Sequence, residues 1–159
     1  MITLIDRNKT GKAILAIRPI EQSLPLQLLQ AREAAMAHFR PMLRAHGLTE
    51  QQWRVVRVLA SEEQLDTGEL AIRAVLLAPS LSRILQSLES DGLITRAADK
   101  TDQRRQYIRL SKAGRAKFDN IGPESESLYQ SIESSFGRDK LNALYSLLAE
   151  FTATTNQIR

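Results

Sequence analysis

Leu93-Ile94-Thr95-Arg96 and Thr101-Asp102-Gln103-Arg104-Arg105-Gln106-Tyr107-Ile108-Arg109-Leu110 set the architecture expected of this 159-residue chain. They read as two short strands around a charged loop, directly after a helix that ends at Asp91-Gly92. In the second strand the alternation of Ile108 and Leu110 turns one face inward and leaves the loop from Asp99 to Arg105 to project. A strand-loop-strand tipped with paired arginines, behind two short helices, is the geometry of a winged helix-turn-helix. In that geometry one helix enters the major groove and the loop reaches a neighbouring groove. The expected fold class is therefore mainly α with a small β wing (α+β).

Upstream, Leu28, Ala31, Ala35, Phe39, Met42 and Leu43 recur at three and four, predicting an amphipathic helix from Leu24 to His46 with Pro41 as a candidate bend. Gly47 ends it. Thr49-Glu50-Gln51-Gln52 matches a capping box and opens a second helix through Leu59. Asp66-Thr67 opens a short third helix, and Pro79 suits the first turn of a fourth, which runs to Ser90 with Leu81, Ile84, Leu85 and Leu88 facing inward. Downstream, Ser111 caps a fifth helix towards Phe136, with a bend or interruption left open at Gly122-Pro123. A sixth from Arg138 carries Leu141, Leu144, Tyr145, Leu148 and Phe151 on one stripe. The last two helices exceed what the central fold needs, so a dimer interface with the first is their expected use.

The net charge is only +4, but it is unevenly placed. Between Arg73 and Lys117 ten basic residues stand against four acidic ones, so this segment suits a polyanion better than the chain as a whole. With no cysteine, a disulfide scaffold, a thiolate zinc site and a thiol redox sensor are all excluded. Two histidines make no metal site, and no cofactor is expected. The absence of a long apolar run or a signal-peptide pattern gives a cytoplasmic expectation, with no membrane partner.

The fourth helix is the expected recognition helix. Ser80, Ser82, Arg83, Gln86 and Ser87 lie on its polar face: small hydroxyls permit close approach, Arg83 can pair bidentately with guanine, and Gln86 can read adenine. Arg104 or Arg105 can enter a narrow minor groove, with Asp102 holding the Arg104 guanidinium as the wing anchor. Arg73, Lys100 and Gln103 complete the expected set facing double-stranded DNA. An ordinary surface helix followed by a solvated charged hairpin is the bland alternative for these residues.

At these residues the chain resembles the MarR family of transcriptional regulators. The resemblance runs from Leu48-Thr49-Glu50-Gln51-Gln52-Trp53 through Glu69-Leu70-Ala71, Ser82-Arg83-Ile84-Leu85, Leu88-Glu89-Ser90-Asp91-Gly92-Leu93-Ile94-Thr95-Arg96 and Asp102-Gln103-Arg104-Arg105 to Leu110-Ser111-Lys112-Ala113-Gly114. It implies a homodimer with interlocked N- and C-terminal helices that binds pseudo-palindromic operators and is often released by small phenolic acids. Gln86 departs from the pattern, since some members carry there an acid that pairs with the wing arginine. A narrower resemblance, in Leu28-Leu29-Gln30-Ala31-Arg32-Glu33-Ala34-Ala35-Met36, His38-Phe39-Arg40-Pro41 and Leu48-Thr49-Glu50-Gln51-Gln52-Trp53-Arg54, is to family members that repress aromatic-acid catabolic operons, those for homoprotocatechuate and 4-hydroxyphenylacetate.

The implied layout is an N-terminal arm over 1–22 and one MarR-like domain over 23–159. Within it, 23–47 and 112–159 are dimerisation helices and 48–111 the DNA-binding lobe. An aromatic carboxylate needs a cation, an apolar or aromatic wall and a polar group. Arg32, His38, Arg40, Trp53 and Arg57 are the candidates, against a reading that places Trp53 in the core and leaves the arginines solvated or ion-paired. An enzyme is not expected, because no nucleophile-base pair or glycine-rich phosphate loop is present. A protein-binding winged helix, another effector and an activating regulator stay open as alternatives.

Overall fold

The structure is a computed structural model that describes residues 18–98 and 106–157, together with the backbone of 6–7 and 13–14. The chain divides into two compact units, Met1–His38 and Phe39–Arg159. In the first, β1 (Asp6–Arg7) pairs antiparallel with β2 (Ala13–Ile14) in the register Asp6 to Ile14 and Arg7 to Ala13. Two-residue strands are too short for any alternation to show, so the sequence reads there only as an arm. A single 3-10 turn over Ile20–Gln22 precedes helix α1 (Leu24–Ala45), on which Leu24, Leu28 and Leu29 are exposed.

In the second unit α1 ends and is followed by α2 (Glu50–Ala60), β3 (Leu65–Asp66), α3 (Thr67–Arg73) and α4 (Ala78–Ser90). The chain continues through β4 (Ile94–Ala98), β5 (Gln106–Leu110), α5 (Lys112–Phe136) and α6 (Arg138–Thr155). The expected capping box forms: Thr49 Oγ1 accepts from the Gln52 amide at 3.2 Å, and Gln52 Oε1 accepts from the Thr49 amide at 2.8 Å. Asp66 and Glu69 make a second box at α3. The antiparallel sheet has the order β3-β5-β4, with Ile94 opposite Leu110 and Arg96 opposite Ile108. Ile108 is fully buried, as the alternation predicts, and β3 adds Leu65 beside it.

Leu81, Ile84, Leu85 and Leu88 place one stripe of α4 in the core, beside Val55, Val56 and Leu59 of α2, Leu70 of α3 and Ile121 of α5. Each fully buried leucine contributes about 1.5–3 kcal/mol. That burial fixes the rotation of α4 about its axis and hence which side chains it offers to solvent. α5 runs unbroken through Gly122-Pro123, where Ile121 and Ser125 on either side of the pair are buried and a proline removes only one amide. α6 carries its apolar residues outside: Leu144, Tyr145, Leu147, Leu148 and Phe151 are 38–63% exposed.

Helices α1, α3 and α4 end with the same pair of bonds, in which one amide reaches back five residues and the preceding amide three. The pairs are Leu48 to Leu43 and Gly47 to Arg44, Leu76 to Ala71 and Val75 to Ile72, and Leu93 to Leu88 and Gly92 to Glu89. This termination needs a left-handed residue, usually glycine. Gly47 and Gly92 fill it at α1 and α4 with φ of 68° and 69°, whereas α3 uses Val75 with φ 50°.

Candidate functional site

Because its leucines and Ile84 face the core, α4 presents Ser82, Arg83, Gln86 and Ser87 outward, with Ser80 half-buried at its first turn. The polar face expected of a recognition helix is thus formed. Among the described residues no carboxylate pairs with Arg83, which leaves its guanidinium for an anionic or guanine partner. Arg73, at the last turn of α3, is ion-paired with Glu62, so its charge is partly neutralised. Ser87 is already engaged: its Oγ accepts from Gln52 Nε2 at 3.1 Å. Gln52 therefore closes the α2 cap with its oxygen and holds the recognition helix with its nitrogen.

The turn into α4 is held from behind. Arg54 Nη1 on α2 donates to the carbonyls of Ala74 at 3.1 Å and Val75 at 3.3 Å, at the point where the backbone turns left-handed. At the other end of α4, Glu89 lies 2.9 Å from Arg96 Nε on β4, an ion pair without hydrogen-bond alignment, since that buried nitrogen has no hydrogen-bond partner. It ties the end of the recognition helix to the first wing strand. On the sheet surface Arg109 Nε donates to Thr95 Oγ1 across the strands at 3.2 Å. The wing-tip residues Lys100, Asp102, Gln103, Arg104 and Arg105 lie outside the described residues.

The sequence-derived effector residues are spread over both units. Arg32, paired with Glu33, and the exposed His38 belong to the first. In the second, Arg40 is paired with Glu50. Trp53 is 6% exposed and its ring stacks on Phe118 with centroids 5.7 Å apart, which makes it a core residue of this chain. Arg57, one turn further along α2, is exposed.

Arg57 is the one drawn into a new constellation. Its Nη1 donates to the Tyr129 hydroxyl at 2.8 Å, its guanidinium lies 5.6 Å from that ring's centroid, and Phe39 packs on the same ring at 4.9 Å. A cation, a phenol hydroxyl and two aromatic walls supply what an aromatic carboxylate requires. Tyr129 was not legible as a site residue, because it lies 72 positions from Arg57 on a helix whose own pattern marks nothing unusual there. A cleft of about 520 Å³ at the α5–α6 junction, lined by Gln130, Glu133, Ser134, Gly137 and Arg138, shares no residue with this cluster. Among the described residues no group of histidines and carboxylates could hold a metal ion, and no helix is long and apolar enough to cross a membrane.

Comparison with known proteins agrees with this geometry. The model of the MarR family matches residues 46–105. The homoprotocatechuate degradative operon repressor of Escherichia coli is 47% identical over 137 residues, 86% of this chain and 93% of that protein. The crystal structure of NadR in complex with 4-hydroxyphenylacetate is similar with a TM-score of 0.74 and 41% identity, covering 85% of this chain and 96% of that one. The transcriptional repressor CouR, bound to a 23-mer DNA duplex, is similar with a TM-score of 0.77 and 25% identity, over 84% of this chain and 94% of its own. The chain thus belongs to the MarR family of DNA-binding transcriptional regulators, which are not enzymes.

Proposed function

We propose that this protein acts in the cytoplasm as a homodimeric repressor of an aromatic-acid catabolic operon, bound to a pseudo-palindromic operator and released by a small phenolic carboxylate. The observation that carries the DNA-binding half is α4, whose buried Leu81, Ile84, Leu85 and Leu88 oblige Ser82, Arg83 and Gln86 to face outward. The exposed apolar stripe of α6 supports dimerisation, because burying it against a second copy removes its contact with water. Two recognition helices about 34–36 Å apart then meet successive major grooves, one duplex turn apart. At the wing, Arg104 or Arg105 enters the minor groove and Asp102 anchors the loop, with Lys100, Gln103 and Arg73 on the flanking phosphates.

The effector half rests on Arg57 and Tyr129. The carboxylate of an aromatic acid displaces the tyrosine hydroxyl as the partner of Arg57 or shares the guanidinium with it, while its ring stacks against the aromatic walls. Arg40, Arg32 and His38 remain further candidates, whereas Trp53 serves the core. 4-Hydroxyphenylacetate and homoprotocatechuate are the favoured effectors, in keeping with the NadR complex and the repressor of the homoprotocatechuate operon.

Fluorescence anisotropy of the full-length protein on duplex DNA from its own upstream region, at two salt concentrations, tests the DNA half. Tight selective binding that falls steeply with salt is expected, and Arg83→Ala should weaken it by about 1–3 kcal/mol with dimerisation unchanged. Binding indifferent to salt, and no stronger than to a scrambled duplex, points instead to a protein-binding winged helix.

A further inference from the structure

The turn between α3 and α4 holds three large aliphatic side chains almost entirely in solvent: Ile72 and Val75 are 78% exposed and Leu77 is 77% exposed. With Ala71 and Leu76 they line an open cleft of about 340 Å³. Two of the three also sit where another residue would serve the fold better. Val75 takes the left-handed helix-end position that glycine fills at α1 and α4, and a β-branched residue is a steric outlier there. Leu77 takes the N-cap of α4, where no side chain caps the helix, whereas Thr49, Asp66 and Ser111 cap α2, α3 and α5. Strain and a missing cap at neighbouring positions, both on exposed apolar residues, fit a surface kept for contact rather than for stability.

The position of the cluster selects the occupant. Leu77 begins the recognition helix, whose first turns are the part of such a helix that approaches base edges. On α4 Ser80 and Arg83 follow Leu77 at three-residue spacing, and Arg73 lies between Ile72 and Val75 in the chain, so basic and hydroxyl side chains flank the apolar cluster in the sequence. The apolar feature that duplex DNA shows in its major groove is the 5-methyl group of thymine. We propose that Leu77, with Ile72 and Val75, reads thymine methyl groups in the operator, adding non-polar sequence selection to the polar readout by Arg83 and Gln86. The proposal rests on the reading of α4 as the DNA-recognition helix.

The test removes the methyl and nothing else. A duplex from the upstream region that the wild-type protein protects is prepared with thymine or with deoxyuridine at each protected position, and binding is followed by anisotropy. Deoxyuridine at the contacted positions should weaken wild-type binding about three- to fivefold per methyl. Leu77→Ser installs a good N-cap, so it should fold at least as stably, and it should discriminate between the two duplexes less than the wild type does. Equal wild-type affinity for the two duplexes overturns the proposal and leaves the cluster to a protein partner. Discrimination that survives unchanged in Leu77→Ser overturns it too, by assigning the effect to DNA shape. Failure of the wild type to protect any site in the upstream region sinks the regulator reading and the proposal together, an outcome distinct from selective binding without discrimination.

Discussion

Gly114 admits no side chain, because a Cβ there would stand 2.0 Å from the carbonyl oxygen of Leu93 and 3.3 Å from Leu110 Cδ2. Next to it, Ser111 donates through Oγ to the Gly92 carbonyl at 2.6 Å and accepts from the Gly114 amide at 3.0 Å, while its own amide bonds the Leu93 carbonyl at 3.0 Å. The end of the recognition helix, the start of the wing and the start of α5 are therefore clamped within one short contact. Gly114→Ala should cost about 1–3 kcal/mol or more, because the obstacle is backbone and cannot swing away. Urea denaturation measures it, and an unchanged midpoint would refute the clamp. Ser111 was legible as a cap, since its hydroxyl acts three residues away in the chain. The close approach at Gly114 was not, because it depends on Leu93, brought there by the fold.

Among the elements, α2 does more than fill the core. Gln52 holds Ser87 on α4, Arg54 holds the carbonyls of Ala74 and Val75, and Arg115 of α5 donates twice to the Ala60 carbonyl at 3.0 Å, at the far end of the same helix. Arg54→Met keeps much of the aliphatic stem but removes both bonds to the strained turn. It should lower stability by about 1–2 kcal/mol and weaken operator binding, both measurable on the same preparation. Stability and affinity equal to wild type would show that the turn holds itself. The periodicity of α4 was plain in the sequence because leucine and isoleucine recur on one stripe of it. The capping box at Thr49 and Gln52 was plain for the same local reason. What Arg54, Arg96 and Glu89 do was not, because exposed-looking arginines carry no period and their partners are named only by the packing. Strand β3, two residues long, gave no signal at all.

For the molecule as a whole, the apolar stripe of α6 and the outward face of α4 give the chain two surfaces with different tasks, one suited to a second copy and one to DNA. The effector site proposed around Arg57 and Tyr129 draws on α2 and α5, with Phe39 of α1 against the tyrosine ring, so the helix that bears the proposed effector cation also bonds α4 through Gln52. Effector and operator affinities are reciprocally linked, and a coupling of about 1–3 kcal/mol changes each about 5- to 150-fold. The most direct measurement of the central claim is release of the full-length protein from its protected upstream duplex by 4-hydroxyphenylacetate, followed by anisotropy, with Arg57→Met alongside. The account predicts that the acid weakens wild-type binding within that range, while Arg57→Met binds the duplex normally and is not released. A wild-type complex that neither 4-hydroxyphenylacetate nor homoprotocatechuate disturbs, or an Arg57→Met complex released as readily as wild type, would contradict it.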